Sequence, residues 1–413
     1  LYFVTNVGSE LSGIARMDIP SDLRTREGQA FSEAMPAYNY VYTPELDIES
    51  VSVSDNGLWI GWVENQSGFG AANLTTTRIF EKKTKPITQL AGVINNLSIP
   101  KGIQAIGRFS PDSRYVTLQS VGPEGPTDLW RYELDTGETT RLTYASLGGI
   151  PTNTFVVPEV KKFASFDDTP VSGLWYTPQT AKPAGGWPVI VVAHGGPEAQ
   201  ARPYFDPLVQ LYLSLGAAVF ELNPRGSSGY GKTFLTLDNV GKREDSVQDY
   251  AFARDWLVEQ GLADPERIAI SGGSYGGYVV LAALTLYPDK WAAGVDAVGI
   301  SNFVTFLENT GPYRRTIREA EYGSLATDRA LLERISPVHR VESITAPLLI
   351  VHGTNDPRVP VGEAQQMHDA LKALGREVDL LVFADEGHGV AKLENRAVAW
   401  QRELEFLKKH LGL

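Results

Sequence analysis

Residues 267–277, RIAISGGSYGG, restrict the fold more than any other stretch: a β-branched apolar run breaks into glycines around one serine and resumes as an apolar helix. Gly272-Gly273-Ser274-Tyr275-Gly276 fits G-x-S-x-G, a sharp strand-to-helix turn in which only small neighbours let the backbones pass. Such a turn presents Ser274 at a helix N-terminus, as a nucleophile elbow does. A buried serine in a glycine-rich turn is the structural alternative, and the rest of the chain has to discriminate.

At 413 residues, with 43% hydrophobic and 21% charged residues, the chain has room for two ordinary globular domains. Zero cysteines remove disulfides, thiolate zinc sites and cysteine nucleophiles together. A formal charge of −12 without a basic cluster argues against nucleic-acid or anionic-membrane partners. No apolar run approaches the roughly 20 residues of a membrane span, and the start lacks a signal-peptide pattern. The chain begins at Leu1, so a processed or truncated product is expected, with a cytoplasmic compartment and a short peptide as partner. The other histidines have no partners at ligand spacing, so neither metal nor cofactor is expected.

From residue 1 to about 146 the pattern is short alternating strands between turn residues, an all-β region. Residues 48–65 followed by 77–90, and 103–120 followed by 128–143, repeat one theme: strand, Ser-x-(Asp/Asn) turn, strand, then a hairpin closed by Thr-Lys or Thr-Gly. Residues 1–6 with 13–20 resemble the later half of a third copy. A period of roughly 50 residues with four strands per unit suggests β-propeller blades, with a β-sandwich as the alternative. Rings close with about four to eight blades, so about two and a half leave the propeller partial, and its open edge calls for missing N-terminal sequence, a homo-oligomer or another partner.

Beyond Pro151 the grammar changes. Strands at 160–166 and 171–176 form a hairpin around Asp167-Asp168, and a Pro/Gly-rich linker leads into 188–194, PVIVVAH, a continuous apolar run typical of buried parallel strands. Strands at 217–223, 267–271, 293–298, 347–352 and 378–383 then alternate with helical segments at 245–260, 275–286, 362–374 and 392–410. Alternation of this kind gives an α/β fold, a mostly parallel sheet with helices on both faces. The expected division is therefore a partial propeller over 1–155 and an α/β-hydrolase domain over 156–413.

Three strand ends carry reactive groups in the order Ser274, Asp356, His388, the chain order of α/β-hydrolases. A hydroxyl is a poor nucleophile until an imidazole takes its proton, and the imidazole needs a carboxylate to fix its tautomer. Taken singly, Asp356 could cap a turn and His388 could be a loop histidine; jointly they read as a triad. Glycines flank His388 and leave its ring free to move. The oxyanion hole should use two backbone N–H groups, for which Tyr275 and Gly196, in the His194-Gly195-Gly196-Pro197 loop after the first buried strand, are the candidates.

AHGGPEAQ (193–200), NPRGSSGYGKTF (223–234), ISGGSYGGY (270–278), HGTNDPRVP (352–360) and DEGHG (385–389) together resemble the prolyl oligopeptidase family of serine peptidases, in its acylaminoacyl-peptidase-like branch. The resemblance implies a propeller paired with an α/β-hydrolase domain, Ser274, Asp356 and His388 as triad, and Gly196 and Tyr275 as oxyanion donors. It also implies that Arg358 contacts the carbonyl of the residue preceding the scissile one, surface ion pairing being its structural alternative. Val298, Phe303 and Phe306 are candidates for an apolar specificity pocket, or else core. The expected function is hydrolysis of short peptides or acylated N-terminal residues through an acyl-enzyme. A carboxylesterase using the same triad, and a non-catalytic propeller–hydrolase binding module, are the competing readings.

Overall fold

Strands with alternating burial build the first part of the chain and continuous apolar strands the second. The structure, a computed structural model, describes residues 1–18, 37–81 and 85–413. Ile19-Pro20 of the third expected repeat, and Lys82 to Thr84 of the expected Thr-Lys hairpin, lie outside these residues. The described residues form two units, one of Leu1–Val157 with Arg202–Phe205 and Gly229–Thr233, the other of Pro158–Ala201, Asp206–Ser228 and Phe234–Leu413.

In the first unit, β1 (Tyr2–Thr5), β2 (Gly13–Met17) and β3 (Tyr38–Tyr42) form an antiparallel sheet. A second sheet has the order β10-β9-β8-β7-β6-β5-β4, built from β4 (Ile48–Val53), β5 (Trp59–Gln66), β6 (Phe69–Thr76), β7 (Ile103–Phe109), β8 (Tyr115–Gly122), β9 (Gly125–Glu133) and β10 (Thr139–Arg141). Its two antiparallel groups meet through one parallel pair, Gly70 with Ile103. Alternation is clean in β8, which buries Val116, Leu118 and Ser120 on one face. The segment expected to begin a hairpin strand at Thr77 is instead a 3₁₀ turn, Thr77–Phe80. The strand lies just before it, in β6, where Leu74 is fully buried and exchanges backbone bonds with Ile94 at 2.9 Å.

The second unit opens with the hairpin of β11 (Glu159–Ala164) and β12 (Pro170–Tyr176), then continues through β13 (Trp187–Ala193), β14 (Ala218–Asn223), β15 (Ala263–Gly273), β16 (Ala293–Ala297), β17 (Leu348–Gly353) and β18 (Val378–Phe383). The sheet order is β11-β12-β14-β13-β15-β16-β17-β18, parallel from β14 to β18. Its helices are α1 (Pro207–Ser214), α3 (Arg243–Glu259), α4 (Tyr275–Leu286), α5 (Phe303–Asn309), α6 (Pro312–Tyr322), α7 (Arg329–Arg334), α8 (Gly362–Ala373) and α9 (Leu393–Leu411), while α2 (Lys232–Leu235) begins in the first unit and ends in the second. Nearly all of α4 is buried, which is why its sequence is apolar all round. Arg225 of the NPRG segment holds the β14 end in place, with both terminal nitrogens on Asp167 at 2.9 Å and Nε on Asp249 at 3.0 Å. Among the described residues, no helix is long and apolar enough to cross a membrane.

Candidate active site

β15, β16, β17 and β18 lie side by side and parallel, so their carboxyl ends open on one edge of the sheet. Ser274 follows β15 with φ 61° and ψ −118°, a left-handed conformation that costs a β-carbon residue about 1–3 kcal/mol. The surroundings impose it: the Ser274 N–H donates to Ala297 O of β16 at 2.8 Å, and α4 begins at once with Tyr278 N–H on Ser274 O at 3.2 Å. Close approach explains the motif's second glycine, since a Cβ on Gly276 would overlap the Ala193 carbonyl oxygen at the end of β13.

Backbone bonds continue across the edge. Val298 N–H reaches Val351 O at 2.8 Å, Thr354 N–H reaches Phe383 O at 2.9 Å, and Asn355 N–H reaches Glu386 O at 2.9 Å. Asp356 is buried, and its Oδ2 accepts from His388 Nδ1 at 2.7 Å while Oδ1 accepts from the N–H groups of Arg358 at 2.8 Å and Val359 at 3.1 Å. Burial would raise its pKa, but these donors outweigh that and hold the carboxyl below its ordinary value. Asp356 is thus an ionised acceptor that places the proton on His388 Nδ1 and leaves Nε2 free to accept one. His388 sits at the centre of a three-residue turn closed by Gly389 N–H on Gly387 O at 3.0 Å.

The His194–Pro197 loop lies against the turn at Ser274: a Cβ built on Gly195 would be 3.5 Å from the Ser274 Cβ. Gly196 has φ 134°, and the Gly196–Pro197 peptide is cis. Tyr275 is the first residue of α4, so its N–H is among those a helix leaves without an intrahelical acceptor. The Tyr275 phenol points the other way, into a buried cluster, with its hydroxyl 2.8 Å from Ser246 Oγ and 3.2 Å from Arg243 Nη1.

Sequence reasoning missed that cluster. Arg243 is fully buried and bonds both Asp238 and Glu321, joining α3 to α6 beneath the first turn of α4. Burial pushes Asp238 up to about 7 against the pull of Arg243, and the neighbouring Glu321 carboxylate adds to the rise. Three further acids support the site. Glu386, inside the DEGHG segment, accepts from the N–H groups of Ala391 and Lys392 at 3.1 and 2.9 Å and so anchors the start of α9 behind His388. Glu363 accepts from the N–H groups of Ser301 and Asn302 at 3.1 and 2.8 Å, fixing the loop after β16. Asp296, at the end of β16, is 1% exposed with neither oxygen hydrogen-bonded. Its signal was visible, since an acid interrupts the apolar run AGVDAV of a parallel strand.

Val298, Phe303 and Phe306 are all buried. Phe303 meets Tyr278 and Tyr322 with centroids 4.8 Å away in each case, and Phe306 meets Tyr322 at 6.2 Å, so both rings belong to the core around α4. Arg358 is exposed, with its backbone carbonyl accepting from Thr310 Oγ1 at 2.8 Å.

The prolyl oligopeptidase family profile matches residues 203–413, half of the sequence, with the Ser274, Asp356 and His388 segments all inside it. The chain belongs to the prolyl oligopeptidase family. The chain is 36% identical to dipeptidyl aminopeptidase BIII of Pseudoxanthomonas mexicana over 331 residues, 76% of this chain and 47% of that protein. It is 31% identical to the acylamino-acid-releasing enzyme of Arabidopsis thaliana over 230 residues, 53% of this chain and 30% of that protein. A puromycin-hydrolyzing peptidase of Mycobacterium tuberculosis has a similar structure, with TM-score 0.84 and 22% identity over 100% of this chain and 60% of that one. The chain therefore spans less than two-thirds of each of these proteins. The prolyl-oligopeptidase-like fold of this family member, an α/β-hydrolase domain with a β-rich N-terminal region, agrees with the two units described above.

Proposed function

We propose that this chain is a serine peptidase that hydrolyses short peptides or acylated N-terminal residues through an acyl-enzyme on Ser274. The observation that carries the reading is the 2.7 Å bond between Asp356 and His388, on a sheet edge shared with a serine in a strained strand-to-helix turn. In the proposed cycle His388 Nε2 takes the Ser274 proton as Oγ attacks the scissile carbonyl, and returns it to the leaving amine. The N–H groups of Gly196 and Tyr275 hold the oxyanion, and water repeats the sequence to release the acid product. Arg358 binds the carbonyl of the residue preceding the scissile one, and of the two readings of Val298, Phe303 and Phe306 the core one fits, since all three are buried.

In this reading residues 1–155 are a partial β-propeller of about two and a half blades and 156–413 the catalytic domain. The antiparallel four-strand group β7 to β10 has the form of one blade. The relatives named above, a dipeptidyl aminopeptidase and an acylamino-acid-releasing enzyme, support peptide rather than ester substrates. Measuring kcat/KM on a blocked dipeptide anilide and its matched p-nitrophenyl ester decides the matter. The account expects cleavage of both by the wild type and of neither by Ser274→Ala. Turnover of the ester alone would make the protein a carboxylesterase, and turnover of neither a non-catalytic module.

A further inference from the structure

Among the helices that follow β16, Arg329 pairs with Glu308 and Glu333, and Arg334 and Arg340 with Glu244, while Arg315 donates to the Glu308 carbonyl. Arg314, Arg318 and Arg358 differ, since among the described residues none of the three has a carboxylate partner. They are drawn together by the fold. Thr310 Oγ1 donates to Arg358 O at 2.8 Å and Gly311 N–H to Pro357 O at 3.2 Å, which fastens the start of α6 to the loop carrying Asp356. Arg314 follows one turn later, its N–H on Gly311 O at 2.8 Å, and Arg318 is its i+4 neighbour on the same face.

The charges of Arg318 and Arg358 both reach Arg314. Burial lowers the Arg314 pKa, and the charges of Arg318 and Arg358 lower it further. Arg314 Nε is shut off from solvent and has no acceptor. Arg318 lies 6.0 Å from the Tyr322 ring centroid, a contact that orients it and leaves its charge uncompensated. Uncompensated like charges held together, in a chain whose net charge is −12, cost stability unless an anion visits the site. Arg358 meanwhile has its own N–H on the carboxylate that orients His388, so the cluster borders the reacting centre.

Resting on the peptidase reading, we propose that Arg314, Arg318 and Arg358 form an anion subsite that takes a substrate carboxylate on the acyl side of the scissile bond. An acidic side chain in the residue preceding the scissile one is the group that fits, because Arg358 already binds the backbone there. Guanidinium forks match a carboxylate in two-point geometry, and Tyr313 and Ile317, 67% and 64% exposed on the same helix, give its methylene stem an apolar floor.

The test uses the full chain carrying Ser274→Ala, so that binding is read whether or not peptides are turned over. Calorimetry compares three amidated peptides differing only in Glu, Gln or Lys at the residue before the scissile one, plus the Gln peptide with a free C-terminal carboxylate. The Glu peptide should bind about tenfold tighter than Gln at low ionic strength, with Lys weakest, and the advantage should shrink at 0.5 M salt. Adding Arg314→Gln and Arg318→Gln should bring the Glu-to-Gln ratio near one, while Arg314→Lys with native Arg318 should retain part of it. Equal binding of Glu and Gln, or an advantage that survives the double substitution, would overturn the proposal. So would tightening by the free C-terminus in place of the Glu side chain. Loss of turnover in the wild type with the Glu preference intact would strike the peptidase reading and leave the subsite standing.

Discussion

Asp296 lies beneath the nucleophile turn, where a Cβ on either Gly277 or Gly299 would overlap its Oδ1. Burial in that space pushes its carboxyl from the ordinary 3.8 up to about 7, so the folded protein holds a proton there that the unfolded chain has already released. The sign follows: the stability due to this neutral form is complete below the ordinary value and is lost as the pH rises through about 7. Asp296→Asn keeps the shape without the charge. It should flatten the decline in Tm between pH 5 and pH 8 and raise stability at pH 8 by about 2–4 kcal/mol. Parallel Tm profiles for the two proteins would show that Asp296 is ionised in the fold. Because Ala297, the next residue, accepts the Ser274 N–H, the same charge bears on the geometry of the Ser274 turn.

Elements around the site are held by charges that periodicity does not show. Helix 275–286 was legible to the residue, since an apolar segment following a glycine-flanked serine has one way to pack, and the strands ending near Ser274, Asp356 and His388 were legible because buried parallel strands are continuous apolar runs. β6 was not: FGAANLTT buries residues from both faces and lacks clean alternation, so it read as a gap before the expected hairpin. Nor was the Arg243 cluster, whose bond to Glu321 joins residues 78 positions apart. Replacing Arg243 with Met would leave two buried carboxylates without their cation. Chemical denaturation should then report a loss of about 3–5 kcal/mol. A loss within error of zero would mean the cluster does not bind α3 to α6.

On the scale of the whole molecule, the sequence and the fold divide the work unevenly. Four of the five motifs lie within the family match, the one at 223–234 shared between the two units; the first unit contributes two sheets, one of them with a parallel pair between β6 and β7, and the 3₁₀ turn at Thr77 departs from the expected repeat. The proposed chemistry is acyl transfer by an oxygen nucleophile, in a chain without cysteine. That claim reduces to one atom, Ser274 Oγ. The direct measurement is treatment of the 413-residue chain with a fluorophosphonate probe, followed by intact mass and peptide mapping. The account predicts a single adduct on the peptide containing Ser274 and none in Ser274→Ala. Equal labelling of both proteins, or an adduct on a different serine, would contradict it.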